Sequence, residues 1–223
     1  MMSGTLEDSP AELSSLVLGT ANRKKAAELA ELLEPLGIRI ETLADFSGAL
    51  AIDESGNSFA ENATLKATRQ AAHLTRWVLG DDSGLVVDAL GGRPGIHSAR
   101  FAGPEATDAD NRRRLLEELS SVELERRTAH FVCHLVLADP TGTVRAETTG
   151  LCHGRIRHQE SGTGGFGYDP LFEIIEYHRT FGELSSIAKA CLSHRARAIQ
   201  ALIAQLANFS PVLRSSPLTP GST

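Results

Sequence analysis

The sequence predicts an α/β or α+β architecture built on a mixed sheet, and three stretches carry that expectation. Leu16-Val17-Leu18 reads as a short strand that runs through the small residues Gly19 to Asn22 into an amphipathic helix. AHFVCHLVLADPTGTVRAETTGLCHGRI alternates in a period of two on either side of a Pro-Thr-Gly turn, the pattern of two paired strands. Near the C-terminus Ile199, Leu202, Ile203 and Leu206 form the apolar stripe of a final helix.

Each element has a local reason. In the first helix Leu29, Leu32, Leu33 and Leu36 follow the i, i+3, i+4, i+7 spacing, and Gly37 is a natural stop. A second helix opens in NSFAENATLKA, where Ser58 and Glu61 have capping-box spacing. A strand around Trp77 to Leu79 delivers the chain to Asp81-Asp82, with a turn expected at the following Ser-Gly. Thr107 and Asp110 open a third helix that places Leu115, Leu119 and Val122 on one face. Ser193 is the expected cap of the last helix. Residues 1–13 read as a flexible leader, 14–208 as one folded unit and 209–223, rich in Pro, Ser and Thr, as a flexible tail.

The bulk numbers exclude several classes of function. A chain of 223 residues with 41% hydrophobic and 22% charged residues can bury a full core. Its net charge of −6 argues against a nucleic-acid or acidic-membrane partner, so any bound anion must be held by local basic groups. The N-terminal segment lacks the apolar core of a targeting peptide, and no uncharged apolar run approaches the ~20 residues of a membrane span. A cytoplasmic location is the resulting expectation. Cys133, Cys152 and Cys191 are odd in number and widely spaced, which suits a reducing compartment and gives no zinc signature.

Four groups of residues could carry chemistry. The Thr20 to Lys25 turn is a candidate anion site, because a helix start offers free N–H groups, and Lys24 and Lys25 add charge that opposes the helix dipole. Its alternative is a solvent-facing basic turn. Glu54, Glu61, Asp81 and Asp82 lie near element ends, and hard carboxylates without His or Cys favour Mg²⁺. Taken singly, Glu61 is also a capping residue and Asp88 a turn residue. The loop GTGGFGYDP couples glycines that permit close backbone approach with Phe166 and Tyr168, which either stack on a flat ring or turn into the core. Lys189, His194 and Arg195 supply donors, or else form an ordinary helix start. Together the four groups describe one ligand, a nucleotide.

The order of TANRKKAAEL, DESGNSFAENATLKA, GDDSGLVVDALGGRPGIHSARFAG, GTGGFGYDPLF and KACLSHRARAI resembles the inosine triphosphate pyrophosphatase family from about Leu16 to Leu206. Two departures are visible: Ala21 stands where the first block usually has glycine, and His97 where a tyrosine is frequent. The resemblance implies an elongated mixed sheet with flanking helices and two lobes around a nucleotide-binding cleft, a homodimer, and Mg²⁺-dependent cleavage of ITP, dITP and XTP to monophosphate and pyrophosphate. Carried over by position, it implies that Thr20, Ala21, Asn22, Arg23, Lys24, Lys25 and Lys66 hold the triphosphate. Glu54 and Asp82 would serve the metal, with Asp82 as proton acceptor. Ser83, Phe166, Gly167, Tyr168, Asp169, Lys189, His194 and Arg195 would line the nucleotide pocket. The competing readings are a nucleotide-binding regulator without catalysis and a related pyrimidine triphosphate hydrolase.

Overall fold

The computed structural model describes residues 13–209, so the expected leader and tail lie outside the described residues except at their inner edges. Seven strands form one mixed sheet: β1 (Ser15–Leu18), β2 (Arg39–Thr42), β3 (Val78–Val87), β4 (Thr128–Ala138), β5 (Val144–Ile156), β6 (Phe172–Ile174) and β7 (Arg179–Thr180). Their order is β2-β1-β3-β4-β5-β6-β7. β1 runs parallel to both β2 and β3, and every later pairing is antiparallel. The helices are α1 (Arg23–Leu33), α2 (Phe59–Leu74), α3 (Asp108–Glu118), α4 (Ser186–Leu192) and α5 (His194–Phe209). None of the described helices is long and apolar enough to cross a membrane.

The helix starts follow local chemistry. Asn22 caps α1, its side chain accepting from the backbone N–H groups of Lys24 and Lys25. Ser58 caps α2 by accepting from the Glu61 N–H at 3.1 Å, but the Glu61 carboxylate reaches one residue further back, to the Asn57 N–H at 2.8 Å. The Thr107–Asp110 capping box of α3 is complete, and Ser193 caps α5 through the Ala196 N–H. α1 ends in a short 3₁₀ turn that Gly37 closes at φ +64°.

One sheet face carries α1 and α5: Leu16, Leu18, Leu29, Leu33, Cys133, Leu135, Ile199 and Leu202 form its core. α2 lies on the opposite face, where Ala63, Ala67 and Ala71 pack on Val17, Val78 and Val136. Small helix residues allow this close seat, and Gly80 completes it, since a Cβ there would collide with the Ala63 carbonyl oxygen. A further cluster of Leu85, Phe131, Leu115, Tyr168, Phe172 and Phe181 fills the far end of the sheet under α3 and the Gly-rich loop. Two core layers thus meet at the middle of β3, and that is where the two acids stand.

Candidate active site

The turn expected after Asp81-Asp82 does not form. β3 continues through both acids to Val87, paired with β4 along its whole length. Adjacent residues of a strand point to opposite faces, so the two carboxylates are separated by the sheet itself. Asp81 faces α1 and α5: its Oδ2 lies 3.4 Å from Lys25 Nζ and its Oδ1 accepts from the Cys133 thiol at 3.2 Å. Burial by itself would raise its pKa, but the charges of Lys25, Arg195 and Lys66 outweigh it and hold the carboxyl well below its ordinary value. Asp82 faces α2, where Lys66 Nζ donates to Oδ1 at 2.8 Å and Asn62 Nδ2 to Oδ2 at 3.4 Å. Here burial wins over Lys66 and the pKa is raised.

Lys66 joins Asp82 to Glu54, donating to Glu54 Oε1 at 3.2 Å, while Arg100 Nη1 lies 3.5 Å from the other Glu54 oxygen. A row of alternating charge results: Arg100, Glu54, Lys66, Asp82. Lys25 borders this row, since its Nζ donates to the Ser83 carbonyl at 3.3 Å. Two hard carboxylates bridged by one ammonium suit Mg²⁺, which takes one or two protein carboxylates and keeps waters or phosphate oxygens for the rest. Among the described residues no group of three or more His, Cys, Asp or Glu is arranged to hold a metal.

Beyond Lys25 lies an open cleft whose lining includes Asn22, Ser83, Phe166, Asp169, Lys189 and Arg195. Its floor is apolar and fixed. Tyr168 is buried with its hydroxyl donating to the Ser98 carbonyl at 2.8 Å, and the His194 ring stacks on Phe131 at 4.8 Å and 13°. Of the two loop aromatics, Tyr168 is therefore the one turned into the core. Phe166 sits among cations, with Lys189 Nζ 4.7 Å and the Arg195 guanidinium 5.4 Å from its ring centroid. Lys189 donates to Asp169 at 2.6 Å and also to Glu28, which accepts a second bond from Arg195 Nη1 at 2.7 Å. Arg195 Nη2 reaches Ser83 Oγ at 2.8 Å, tying this end of the cleft back to the strand of the two acids. His194 is fully enclosed, and burial drives its pKa well below the usual value, so the ring is neutral. His194 Nδ1 and Arg195 Nε are buried with no hydrogen-bond partner among the described residues. Buried polar atoms left unpaired are costly, and both belong to residues that line the cleft.

The mouth is bridged from side to side. Asp108 Oδ2 accepts from Lys24 Nζ at 2.8 Å and from the Gly167 N–H at 3.0 Å, and Arg112 Nη1 holds the Gly167 carbonyl at 2.9 Å. In the first turn of α1 the amides of Lys24 and Lys25 are occupied by Asn22, so anion binding there falls to side chains more than to free N–H groups. Thr20 is buried, with its hydroxyl accepting from the Asn22 N–H at 3.3 Å. Ala21 and Arg23 are exposed, and Ala21 is not among the described residues with positive φ, so its methyl group strains nothing.

Of the residues singled out in the sequence, Asn22, Lys25, Ser83, Phe166, Gly167, Tyr168, Asp169, Lys189, His194 and Arg195 come together in the cleft, and Glu54, Lys66 and Asp82 in the adjoining row. Glu28 and Arg100 lie within the quoted blocks TANRKKAAEL and GDDSGLVVDALGGRPGIHSARFAG without a role of their own, and Asp108 and Arg112 lie outside every block. Asp108 passed for an ordinary acid in the first turn of a capped helix.

A mixed sheet whose strands open onto an aromatic, cation-lined cleft beside a row of carboxylates has the chemistry to take a polyanion that carries a flat ring. Residues 16–205 match the family model described as Ham1 family, and the chain belongs to that family. A Rhodopirellula baltica protein named dITP/XTP pyrophosphatase is 52% identical over 86% of this chain and 92% of its own length. One of the same name from Exiguobacterium sp. is 48% identical over 87% and 97%. Among solved structures, a HAM1 protein from Coxiella burnetii superposes with a TM-score of 0.79 at 36% identity, covering 87% of this chain and 98% of its own. The Staphylococcus aureus Ham1 protein gives 0.78 at 33%, covering 88% and 100%.

Proposed function

We propose that this chain hydrolyses the bond between the α and β phosphates of ITP, dITP and XTP, releasing the monophosphate and pyrophosphate. The observation that carries the reading is the gathering of Phe166, Lys189, His194 and Arg195 with Lys25 in one cleft, alongside the Glu54–Lys66–Asp82 row. The names of the related bacterial proteins support it.

In this reading the ring lies by Phe166 and the phosphates extend toward Lys25 and Lys66. Glu54 and Asp82 would hold Mg²⁺, which when bound neutralises phosphate oxygens and acidifies water. Asp82 takes the proton of the attacking water. The water oxygen bonds to the α phosphorus, and the bond to the bridging oxygen breaks with its electron pair leaving on pyrophosphate. A carboxylate whose pKa is raised by burial is the better base, and its contribution is on the order of 10²- to 10⁴-fold in rate. Lys66, whose own pKa is raised because Asp82 and Asp81 overcome its burial, stays charged throughout.

Base choice follows from donors. Hypoxanthine and xanthine carry an oxygen acceptor at position six where adenine carries an amino donor, and Lys189 and Arg195 have only donors to offer. An unpaired donor facing a donor rejects adenine by roughly 10⁴-fold or more. We extend the reading to removal of deaminated purine nucleotides before polymerases use them, by a cytoplasmic homodimer. Purified protein, Mg²⁺ and a panel of triphosphates test it, with pyrophosphate as the readout. Turnover of ITP well above ATP is expected; comparable turnover, or orthophosphate in place of pyrophosphate, overturns it. Tight ITP binding without product would instead indicate a regulator.

A further inference from the structure

Arg100 lies within the block GDDSGLVVDALGGRPGIHSARFAG, yet it is the one member of the charged row to which the reaction above gives no role. Its backbone is fixed from both sides. It ends the 3₁₀ segment Gly95–Arg100, in which Ser98 Oγ accepts from the Leu85 N–H of β3 at 2.8 Å and donates to the Gly95 carbonyl at 2.6 Å. Asn111 of α3 then clamps the flanking residues, donating to the Ala99 carbonyl at 3.0 Å and accepting from the Ala102 N–H at 2.8 Å. The side chain, by contrast, is loosely held: it is 41% exposed and its ion pair with Glu54 spans 3.5 Å. A rigid base carrying a half-exposed guanidinium in one long ion pair is the form of a group that exchanges partners.

Charge balance says which partner comes next. The row Arg100, Glu54, Lys66, Asp82 is neutral as it stands. A divalent cation taken up by Glu54 and Asp82 would satisfy both carboxylates and leave Lys66 and Arg100 without counter-charge, in the row that Lys25 of the cleft borders. The group that arrives there with the substrate is the β,γ-diphosphate. A planar guanidinium donates two parallel hydrogen bonds to phosphate oxygens, which an ammonium does not.

We propose that Arg100 exchanges Glu54 for the β- and γ-phosphate oxygens and grips the pyrophosphate leaving group, an inference that rests on the hydrolase reading above. Arg100 then stabilises the charge that develops as the bridging oxygen departs, and it contributes nothing to the nucleoside end.

The test separates the two products. Binding of inorganic pyrophosphate with Mg²⁺, and of inosine monophosphate, is measured by calorimetry for the wild-type chain, Arg100→Gln and Arg100→Lys. Losing a charge-assisted bidentate contact is expected to weaken pyrophosphate about 10- to 100-fold in Arg100→Gln, with inosine monophosphate unchanged. Arg100→Lys keeps part of the affinity. Wild-type affinity for pyrophosphate in Arg100→Gln, or an equal loss for both products, overturns the proposal. If the wild-type chain fails to hydrolyse ITP, the hydrolase reading falls by that separate measurement, while the pyrophosphate comparison still decides the role of Arg100.

Discussion

Replacing each of the neighbouring acids by its isosteric amide should produce opposite phenotypes, because the sheet divides their surroundings. Asp81 is fully buried and its charge is answered by Lys25 and Arg195. Breaking a buried pair by removing one partner costs about 3–5 kcal/mol. Asp81→Asn leaves Arg195 its bond to Glu28 and Lys25 its bond to the Ser83 carbonyl, so the loss falls at the low end, about 3 kcal/mol. For a chain of this length that lowers Tm by roughly 6–12 °C. Asp82→Asn differs: burial already opposes the Asp82 charge, and Lys66 keeps Glu54 as a partner, so the loss of stability is smaller than for Asp81→Asn. Turnover of ITP should nevertheless fall on the order of 10²- to 10⁴-fold. Calorimetric melting of both variants, together with pyrophosphate release under saturating ITP and Mg²⁺, gives the four numbers needed. Equal drops in Tm for the two variants, or full turnover in Asp82→Asn, would refute the division of labour.

Three further outcomes follow from residues outside the reaction. Asp139 is buried in the β4–β5 hairpin, where the Thr141 hydroxyl, Arg145 and the amides of Thr141 and Thr143 outweigh burial and lower its pKa from 3.8 to about 2. Its ionised form is thus favoured by folding, worth about 2 kcal/mol that is fully present above pH ~4 and lost as pH falls through about 2. Melting between pH 5 and 2 should show Asp139→Asn less sensitive to acid than the wild type; parallel curves would contradict this. Arg127 is buried and donates to the carbonyls of Leu119, Val122 and Arg157, closing the C-terminal end of α3, so Arg127→Met should cost about 3 kcal/mol or more in urea denaturation. At Gly150 a Cβ would collide with the His194 carbonyl oxygen, so Gly150→Ala should displace the start of α5. The expected cost is about 1–3 kcal/mol of stability, with KM for ITP raised more than kcat is lowered.

Legibility in the sequence tracked how local the cause was. Caps and helix stripes were readable because they depend on residues three or four apart: Thr107 with Asp110, Ser193 ahead of α5, Leu115 with Leu119. The long alternating hairpin was readable for the same reason at a period of two. β2, β6 and β7 were not, since two to four residues at a sheet margin carry no period of their own and are strands only because a neighbour pairs with them. The short α4 also escaped, although it carries Lys189. At the site, motif residues were found and their organisers were missed. Glu28 orients Lys189 and Arg195 across 161 and 167 positions of sequence, and Asp108 meets Lys24 across 84. Such pairings are set by the fold and leave no spacing to read.

The expected turn at Asp81-Asp82 failed for a reason that explains the pair itself. Side-by-side carboxylates followed by Ser-Gly look like a strand end, because two like charges in a buried strand are costly. That cost assumes they share one environment, whereas a strand sends neighbours to opposite faces. Each face here supplies its own cations, Lys25 and Arg195 on one side and Lys66 on the other. Gly80 and Gly84 keep the strand close to α2 and to the Gly95–Arg100 segment, since a Cβ at either position would press on backbone of those elements. One acid can then be locked in its charged form as a fixed counter-ion for the cations at the ring end. The other, one residue away, sits where burial raises its pKa and a proton can be accepted. In the proposed hydrolase reading adjacency would couple the two ends of the site: a displacement of β3 that moves Asp82 also moves Asp81 against Arg195, so recognition of the ring and attack on the phosphate would share one strand.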